Sequence, residues 1–94
     1  MIKHIVFWKF AEKNKRETIE KVRGMLLALP DAVREIRSLE VGVNFHPKGY
    51  DLCLCTAFDS KEALNAYQVH PDHVAVKEFI ATVQTDSAVC DYEI

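Results

Sequence analysis

Apolar residues cluster in four short stretches of this 94-residue chain, and each stretch has the composition and spacing of a β-strand. The first covers residues 2–10, and its alternate side chains share one face: His4, Val6, Trp8 and Phe10. The third covers residues 50–58 and is almost continuously apolar, which is typical of a central strand covered on both sides. The second and fourth strands are predicted over residues 36–45 and 87–94.

Two segments between these strands have the spacing of amphipathic helices. The first begins at Asn14, which forms a capping-box pattern with Glu17, and is predicted to end near Pro30. Its apolar stripe consists of Ile19, Val22, Leu26 and Leu29.

The second helical segment opens with another capping pattern, Asp59 with Glu62, and is interrupted at Pro71. Proline fits the first position of a helix, because its missing N–H would have no helical partner there. A new helix is therefore predicted from Pro71 onward, with His70 as its N-cap.

The resulting order, β-α-β-β-α-β, predicts an α+β, ferredoxin-like fold with a four-stranded antiparallel sheet and helices on one face. Residues 1–94 are predicted to form a single domain. The apolar pattern does not decide which sheet face carries a further set of side chains: Ile5, Phe7, Cys53 and Cys55.

The amino-acid composition predicts that this fold has a protein partner. The chain is 49% apolar, with five Phe and one Trp. A domain of this size buries only about 60–65% of its unfolded surface, so a second buried surface is expected. A homodimer that stacks the bare sheet faces of two copies, forming a dimeric α+β barrel, satisfies that expectation.

Charge and cysteine content narrow the choice of partners and location. The formal net charge is −2, and even the basic stretch over residues 13–23 contains glutamates, so nucleic acid is not an expected partner. No apolar run is long enough to cross a bilayer and no signal peptide is visible, so we predict no membrane association and a cytoplasmic location. The three cysteines are interpreted as free thiols.

The segment "YQVHPDH", residues 67–73, carries the candidate chemistry. Pro71 takes His70 off the helical face that His73 occupies, so neither a metal site nor another cofactor is predicted. His73 lies in the first turn of a helix, where the helix dipole disfavours a protonated imidazole, and a neutral imidazole can act as a general base. Tyr67 could donate to a carbonyl oxygen, but spacing alone favours the plainer roles of core ring and helix cap.

Three segments together resemble the stress-responsive A/B barrel domain family, Dabb, over essentially the whole chain. They are "KHIVFWKF" near the start, "VGVNFHPKGYDLCLCTAFDSKEALNAYQVHPDHVAV" in the middle and "AVCDYE" near the end. The resemblance implies a dimeric α+β barrel. One plant branch of the family consists of polyketide cyclases, which perform aldol chemistry with a tyrosine and a histidine from the segment that matches residues 67–73.

By that resemblance Tyr67 would polarise a carbonyl, His73 would be the base, and His4 would line a pocket. The full predicted pocket consists of His4, Val6, Trp8, Leu54, Tyr67, His70 and His73. Two positions depart from the cyclase pattern: Leu52 stands where that branch has a histidine, and Trp8 is bulkier than the expected aliphatic residue.

Three functions are therefore carried forward. The first is binding of a small, carbonyl-bearing molecule with cyclase-like or isomerase-like proton transfer; a cavity that reaches both Tyr67 Oη and a ring nitrogen of His73 would favour it. The second is a noncatalytic stress or stability protein, favoured by a cavity filled by Trp8. The third is a monooxygenase-like enzyme, which rests on shared fold alone.

Overall fold

The computed structural model describes residues 1–94 and contains four strands and four helices. In chain order they are β1 (Ile2–Phe10), α1 (Lys15–Leu27), α2 (Leu29–Ala32), β2 (Ser38–Val43), β3 (Leu52–Phe58), α3 (Lys61–Val69), α4 (Pro71–Val83) and β4 (Gln84–Glu93). The predicted order is confirmed, with a one-turn helix added after α1. No helix combines the length and apolar character that crossing a bilayer would require.

The four strands form one sheet in the order β2-β3-β1-β4, and every neighbouring pair is antiparallel. Strand β1 is central, so Val6 faces Leu54 of β3 on one side and Val89 of β4 on the other. This arrangement confirms the ferredoxin-like α+β fold.

The start of α1 corrects the first capping prediction. Asn14 is the N-cap, but its backbone is left-handed, with φ 57° and ψ 32°, and its side chain makes no capping hydrogen bond. A capping box needs an extended N-cap residue, so the predicted pairing with Glu17 does not form. At the other end, α1 stops at Leu27, and Pro30 lies inside the first turn of α2 rather than ending α1.

The second capping prediction was wrong by one residue, whereas the break at Pro71 was predicted correctly. Ser60, not Asp59, caps α3: its Oγ accepts the backbone N–H of Ala63 at 3.1 Å. Strand β2 is shorter than predicted, and β4 begins at Gln84, directly after α4.

The core lies between the helices and one face of the sheet. Strand residues of the helix-covered face are almost fully buried, including Ile2, Trp8, Leu52 and Leu54. The alternate strand residues point to the other face, which no helix covers. We call it the open sheet face; its central residues are Ile5, Phe7, Cys53, Cys55, Ala88 and Cys90.

Candidate active-site cavity

A cavity of about 320 Å³ opens between the helix-covered sheet face, α1 and α4. Most of its wall is apolar, and Trp8 forms one side of it without filling it. Polar residues line it from four elements: His4 from β1, Gln68 from α3, His73 and Lys77 from α4, and Gln84 from β4. The volume is at the small end of the range for ligand pockets.

Five of the seven predicted pocket residues border this cavity, and they are His4, Val6, Trp8, Leu54 and His73. Tyr67 and His70 do not border it. Tyr67 lies beneath the wall with 0% of its surface exposed. The cavity therefore reaches His73 but not the phenol that sequence reasoning paired with it.

His70 serves the backbone at the junction between α3 and α4. Its extended conformation ends α3, and its Nδ1 accepts the backbone N–H of Asp72 at 3.1 Å. The His70 carbonyl also accepts the N–H of Val74 at 2.9 Å. These bonds satisfy donors at the start of α4, as a helix N-cap does.

Tyr67 and His73 meet across the same break. Their rings stack with centroids 3.9 Å apart and planes 25° apart. Phe58 supports Tyr67 from the sheet at 5.0 Å, and the His4 ring meets it edge-on at 6.1 Å. The change of direction at Pro71 thus brings two residues six positions apart into contact.

Two buried polar atoms in this cluster have no hydrogen-bond partner: the hydroxyl of Tyr67 and Nδ1 of His73. Such a group costs about 1–3 kcal/mol when it is buried alone. Burial raises the pKa of Tyr67, so the phenol stays protonated. Burial, with a smaller contribution from the Lys77 charge, lowers the pKa of His73 to about 4. Burial therefore keeps His73 neutral, a cause that the sequence-based argument from the helix dipole did not include.

This lowered pKa makes stability depend on pH. In the unfolded chain the pKa of His73 is the ordinary histidine value of 6.5, whereas the folded chain resists protonation until about pH 4. The stability contributed by a neutral His73 is therefore complete above pH 6.5 and is lost as the pH falls toward 4. We expect a loss of up to about 3 kcal/mol over this window, measured by urea unfolding at each pH.

Carboxylates also titrate in this range, so the His73 part is the difference between wild type and His73→Phe, which keeps a ring against Tyr67. Leu27→Ser is the control, since it changes an exposed position of α1 without adding or removing a titratable group and should leave the wild-type pH dependence unchanged. Equal pH dependence in wild type and His73→Phe would contradict the prediction.

Sequence reasoning missed Asp91, whose Oδ1 lies 2.5 Å from Nδ1 of His4. The two residues are cross-strand partners on β4 and β1. Because the carboxylate accepts, Nδ1 of His4 carries the hydrogen, which leaves Nε2 able to accept a proton. The Asp91 side chain is 46% exposed, so the pair runs from the cavity wall to solvent. Only the β1–β4 register reveals this pairing.

Lys77 is a second group that the sequence did not single out. It borders the cavity, and its Nζ donates to the carbonyl of Gln68 at 3.1 Å. An ammonium group has three donors, so two remain for a ligand. No three histidine, cysteine or carboxylate side chains converge on a point where a metal ion could be held.

Comparison with known proteins agrees with this fold. The sequence model of the stress responsive A/B barrel domain, Dabb, matches residues 2–94. The comparison with curated proteins gave no match.

Solved structures superpose closely on the chain. A dimeric protein of unknown function from Bacteroides fragilis, with a ferredoxin-like fold, is 31% identical at a TM-score of 0.92, covering 99% of this chain and 95% of its own. A dimeric ferredoxin-like protein of unknown function from Thermobifida fusca is 26% identical at a TM-score of 0.88, with coverages of 99% and 90%. Hydroxynitrile lyase from Passiflora edulis has a TM-score of 0.89 and coverages of 99% and 92%, but at 16% identity it shows the fold alone.

Proposed function

This chain belongs to the stress responsive A/B barrel domain family, and from that premise we propose that it forms a homodimer whose cavities bind a small, mainly apolar carbonyl compound. The polar groups of the cavity then move a proton on that compound, as in an aldol or isomerase reaction. The observation that carries the proposal is a histidine in the cavity wall, His4, whose Nδ1 is bound to a carboxylate at 2.5 Å.

His4 suits the role of general base better than His73 does. A base works best when its pKa lies near the working pH, and the pKa of His73 is lowered to about 4. The Asp91 carboxylate holds His4 in the tautomer whose Nε2 accepts, and it stabilises the imidazolium that forms when Nε2 takes a proton. This assignment moves the role of base from His73 to His4.

The proposed reaction step is proton abstraction by His4, with Lys77 stabilising the charge that develops. Nε2 of His4 takes a proton from the carbon next to the carbonyl. The electron pair of the broken C–H bond forms a carbon–carbon double bond, and the π pair of the carbonyl moves to its oxygen. The ammonium of Lys77 stabilises the oxyanion with its remaining donors. The product is an enolate, which either attacks a second carbonyl or is reprotonated at another position.

Tyr67 and His73 take supporting parts in this proposal. His73 borders the cavity as a neutral ring, which can hydrogen-bond a ligand without competing for its proton. Tyr67 holds that ring in place by stacking at 3.9 Å. The Tyr67 hydroxyl is protonated and has no partner, so it can donate to a ligand whose binding moves the cavity wall enough to expose it.

The dimer part of the proposal is supported by the open sheet face and by the relatives. Apolar side chains lie at the centre of that face, and Phe7 is 36% exposed there. The Bacteroides fragilis and Thermobifida fusca proteins are dimeric. A twofold copy that stacks sheet on sheet would cover the face.

Trp8 gives this proposal a direct test, because it is the chain's single tryptophan and borders the cavity. We expect titration with a panel of small aryl ketones to change its fluorescence saturably. Ala81→Phe places a ring at the exposed rim of the cavity and should weaken the best ketone at least tenfold. The measurement is the dissociation constant from Trp8 emission.

Ala66→Phe is the matched control: the same change at an exposed helical position that does not border the cavity. It should bind as wild type does. Equal ketone affinity for wild type and Ala81→Phe would show that the ketone does not bind in this cavity and would contradict the proposal.

A noncatalytic stability protein is the second candidate, and the burial of the Tyr67 hydroxyl away from the cavity favours it. Saturable ketone binding without any proton exchange on the ketone would support a binding role. No binding by any ketone, together with high thermal stability, would support the second candidate instead.

A further inference from the structure

The connection between β2 and β3 forms a short arm over residues 44–51, and it carries the most exposed apolar side chain of the chain. Phe45 is 100% exposed. Exposing a whole phenylalanine ring forfeits about 1.5–3 kcal/mol of burial energy. A single exposed apolar residue is common, but Phe45 adjoins an apolar groove, and a contiguous exposed apolar patch marks an interaction site.

Hydrogen bonds hold the arm in one conformation. The Asn44 side chain donates to the carbonyls of Lys48, at 3.1 Å, and Tyr50, at 2.6 Å, and it accepts the backbone N–H of His46 at 2.8 Å. Gly49 takes the positive φ of 97° that closes the turn. Phe45 is therefore presented by an ordered loop, so little conformational entropy is lost when it binds.

Beside the arm lies an apolar groove of about 490 Å³ at one end of the open sheet face. We call it the arm groove. Its lining residues are Phe7, Gly42, Val43, Asn44, Phe45, Tyr50, Leu52 and Cys53. Phe7 and Tyr50 stack with ring centroids 5.7 Å apart, which supplies an aromatic floor. The groove is thus suited to an inserted ring.

The size of the sheet argues that the arm takes part in the dimer. Four strands about 4.8 Å apart, with 9, 6, 7 and 10 residues that each rise about 3.3 Å, outline roughly 500 Å². A standard interface buries about 800 Å² of accessible surface on each partner. Groups beyond the flat sheet therefore need to contribute, and a buried aromatic ring contributes about 150–250 Å².

The charges of the open sheet face favour a second copy of this chain over another partner. Lys3 and Lys9 of β1 lie on this face, as alternate residues with Ile5 and Phe7. Glu40 of β2 lies on it opposite Cys55, and Asp86 of β4 lies on it opposite Lys9. A face that carries both signs around an apolar centre can pair opposite charges with a second copy after a twofold rotation, and the dimeric relatives favour that occupant.

From these observations we propose that Phe45 is the anchor of the dimer: the arm of each protomer inserts Phe45 into the arm groove of a second copy, and receives that copy's Phe45 in return. Twofold symmetry makes the two insertions equivalent. This inference rests on the homodimer proposed above, and adds which residues hold it together.

Two variants test the insertion from its two sides. Phe45→Ser removes the ring, and Gly42→Leu fills the groove that receives it. A Cβ at Gly42 meets no atom within 4 Å, so the added side chain starts in open space within the protomer. We expect each variant to raise the dimer dissociation constant at least tenfold, since each alters both symmetric contacts, measured by sedimentation velocity over a concentration series.

Matched controls lie on α1, on the far side of the sheet. Leu27→Ser removes another exposed apolar side chain, and Gly24→Leu adds a side chain where a Cβ also meets nothing within 4 Å. Both should dimerise as wild type does. Circular dichroism checks that all four variants are folded.

The outcomes separate this inference from the proposed homodimer. A wild type that stays monomeric up to high micromolar concentration overturns both. A dimeric wild type whose dissociation constant is unchanged in Phe45→Ser and Gly42→Leu overturns the insertion alone, and leaves the sheet faces as the interface. Weakening in the two variants but not in the two controls is the supporting result.

Discussion

Replacement of Phe58 by alanine is expected to lower the free energy of unfolding by about 4 kcal/mol, within the range for a large ring removed from a core. Phe58 ends β3 with 0% of its surface exposed. Two effects lower the free energy of unfolding. The protein loses the stabilisation from burying the phenyl ring away from water, and the alanine leaves a cavity in the core. For a domain of this size, 4 kcal/mol is a large fraction of the total stability.

The consequence reaches the active-site cavity, because Phe58 supports the ring of Tyr67 at 5.0 Å and Tyr67 in turn stacks on His73. Urea unfolding at one fixed protomer concentration measures the stability, since a dimer's stability depends on concentration. The Phe58→Ala protein should also shift the side-chain NMR signals of Tyr67 and His73.

Phe58→Leu is the matched control, because it keeps an apolar side chain of similar length and should cost about 1 kcal/mol. If alanine and leucine at this position destabilised the protein equally, the cost would come from the loss of an aromatic contact rather than from a cavity. A loss below 1 kcal/mol for Phe58→Ala would contradict its place in the core.

The order of elements and the ferredoxin-like fold were predictable because they depend on patterns within short stretches. Pro71 is the clearest case, since proline acts on its own neighbours: it starts α4, and it leaves His70 extended as the cap. Alternation along β1 likewise places Trp8 on one face with His4 and Val6, although it does not say which face the helices cover.

Features that depend on partners distant in sequence were not predictable in the same way. Asn14 and Glu17 have the spacing of a capping box, yet a left-handed backbone at Asn14 prevents it. The His4–Asp91 pair joins residues at opposite ends of the chain, and only the β1–β4 register reveals it.

The residues that face the cavity were also only partly predictable from the sequence. Tyr67 and His73 do come together, as the break at Pro71 allowed. Which of them faces the cavity is decided by the packing of Phe58 and α4 around the tyrosine ring, and that packing buries its hydroxyl. A sequence motif therefore identified the contact between two rings but not the side from which a ligand can reach them.

Replacement of His4 by alanine is expected to reduce proton exchange on a bound ketone by about a hundredfold to ten thousandfold, the usual contribution of a positioned general base. The readout is the exchange of the protons next to the carbonyl in D₂O, followed by NMR, with the aryl ketone that changes Trp8 emission most. Enolate formation is the first half of the proposed reaction, so this exchange reports it without the natural substrate. Ketone affinity, measured at Trp8, should change much less than the exchange rate.

Asp91→Asn tests the other half of the pair. An asparagine keeps the size of the side chain but can present an amide N–H to Nδ1 of His4, which favours the tautomer whose Nε2 carries the hydrogen and cannot accept a proton. We expect a tenfold to hundredfold slower exchange and a changed His4 tautomer in ¹⁵N NMR spectra. The tautomer shows whether slower exchange accompanies a change at His4 rather than a loss of folded protein.

The comparison of His4→Ala with His73→Ala decides which histidine is the base. His70→Asn is the control for both, since it alters a histidine outside the cavity and keeps the cap of α4. With His4 as the base, His73→Ala changes ketone affinity while most of the exchange rate remains. Abolition of exchange by His73→Ala, with His4→Ala close to wild type, would instead assign the base to His73, and its pKa near 4 would then have to rise when a ligand binds.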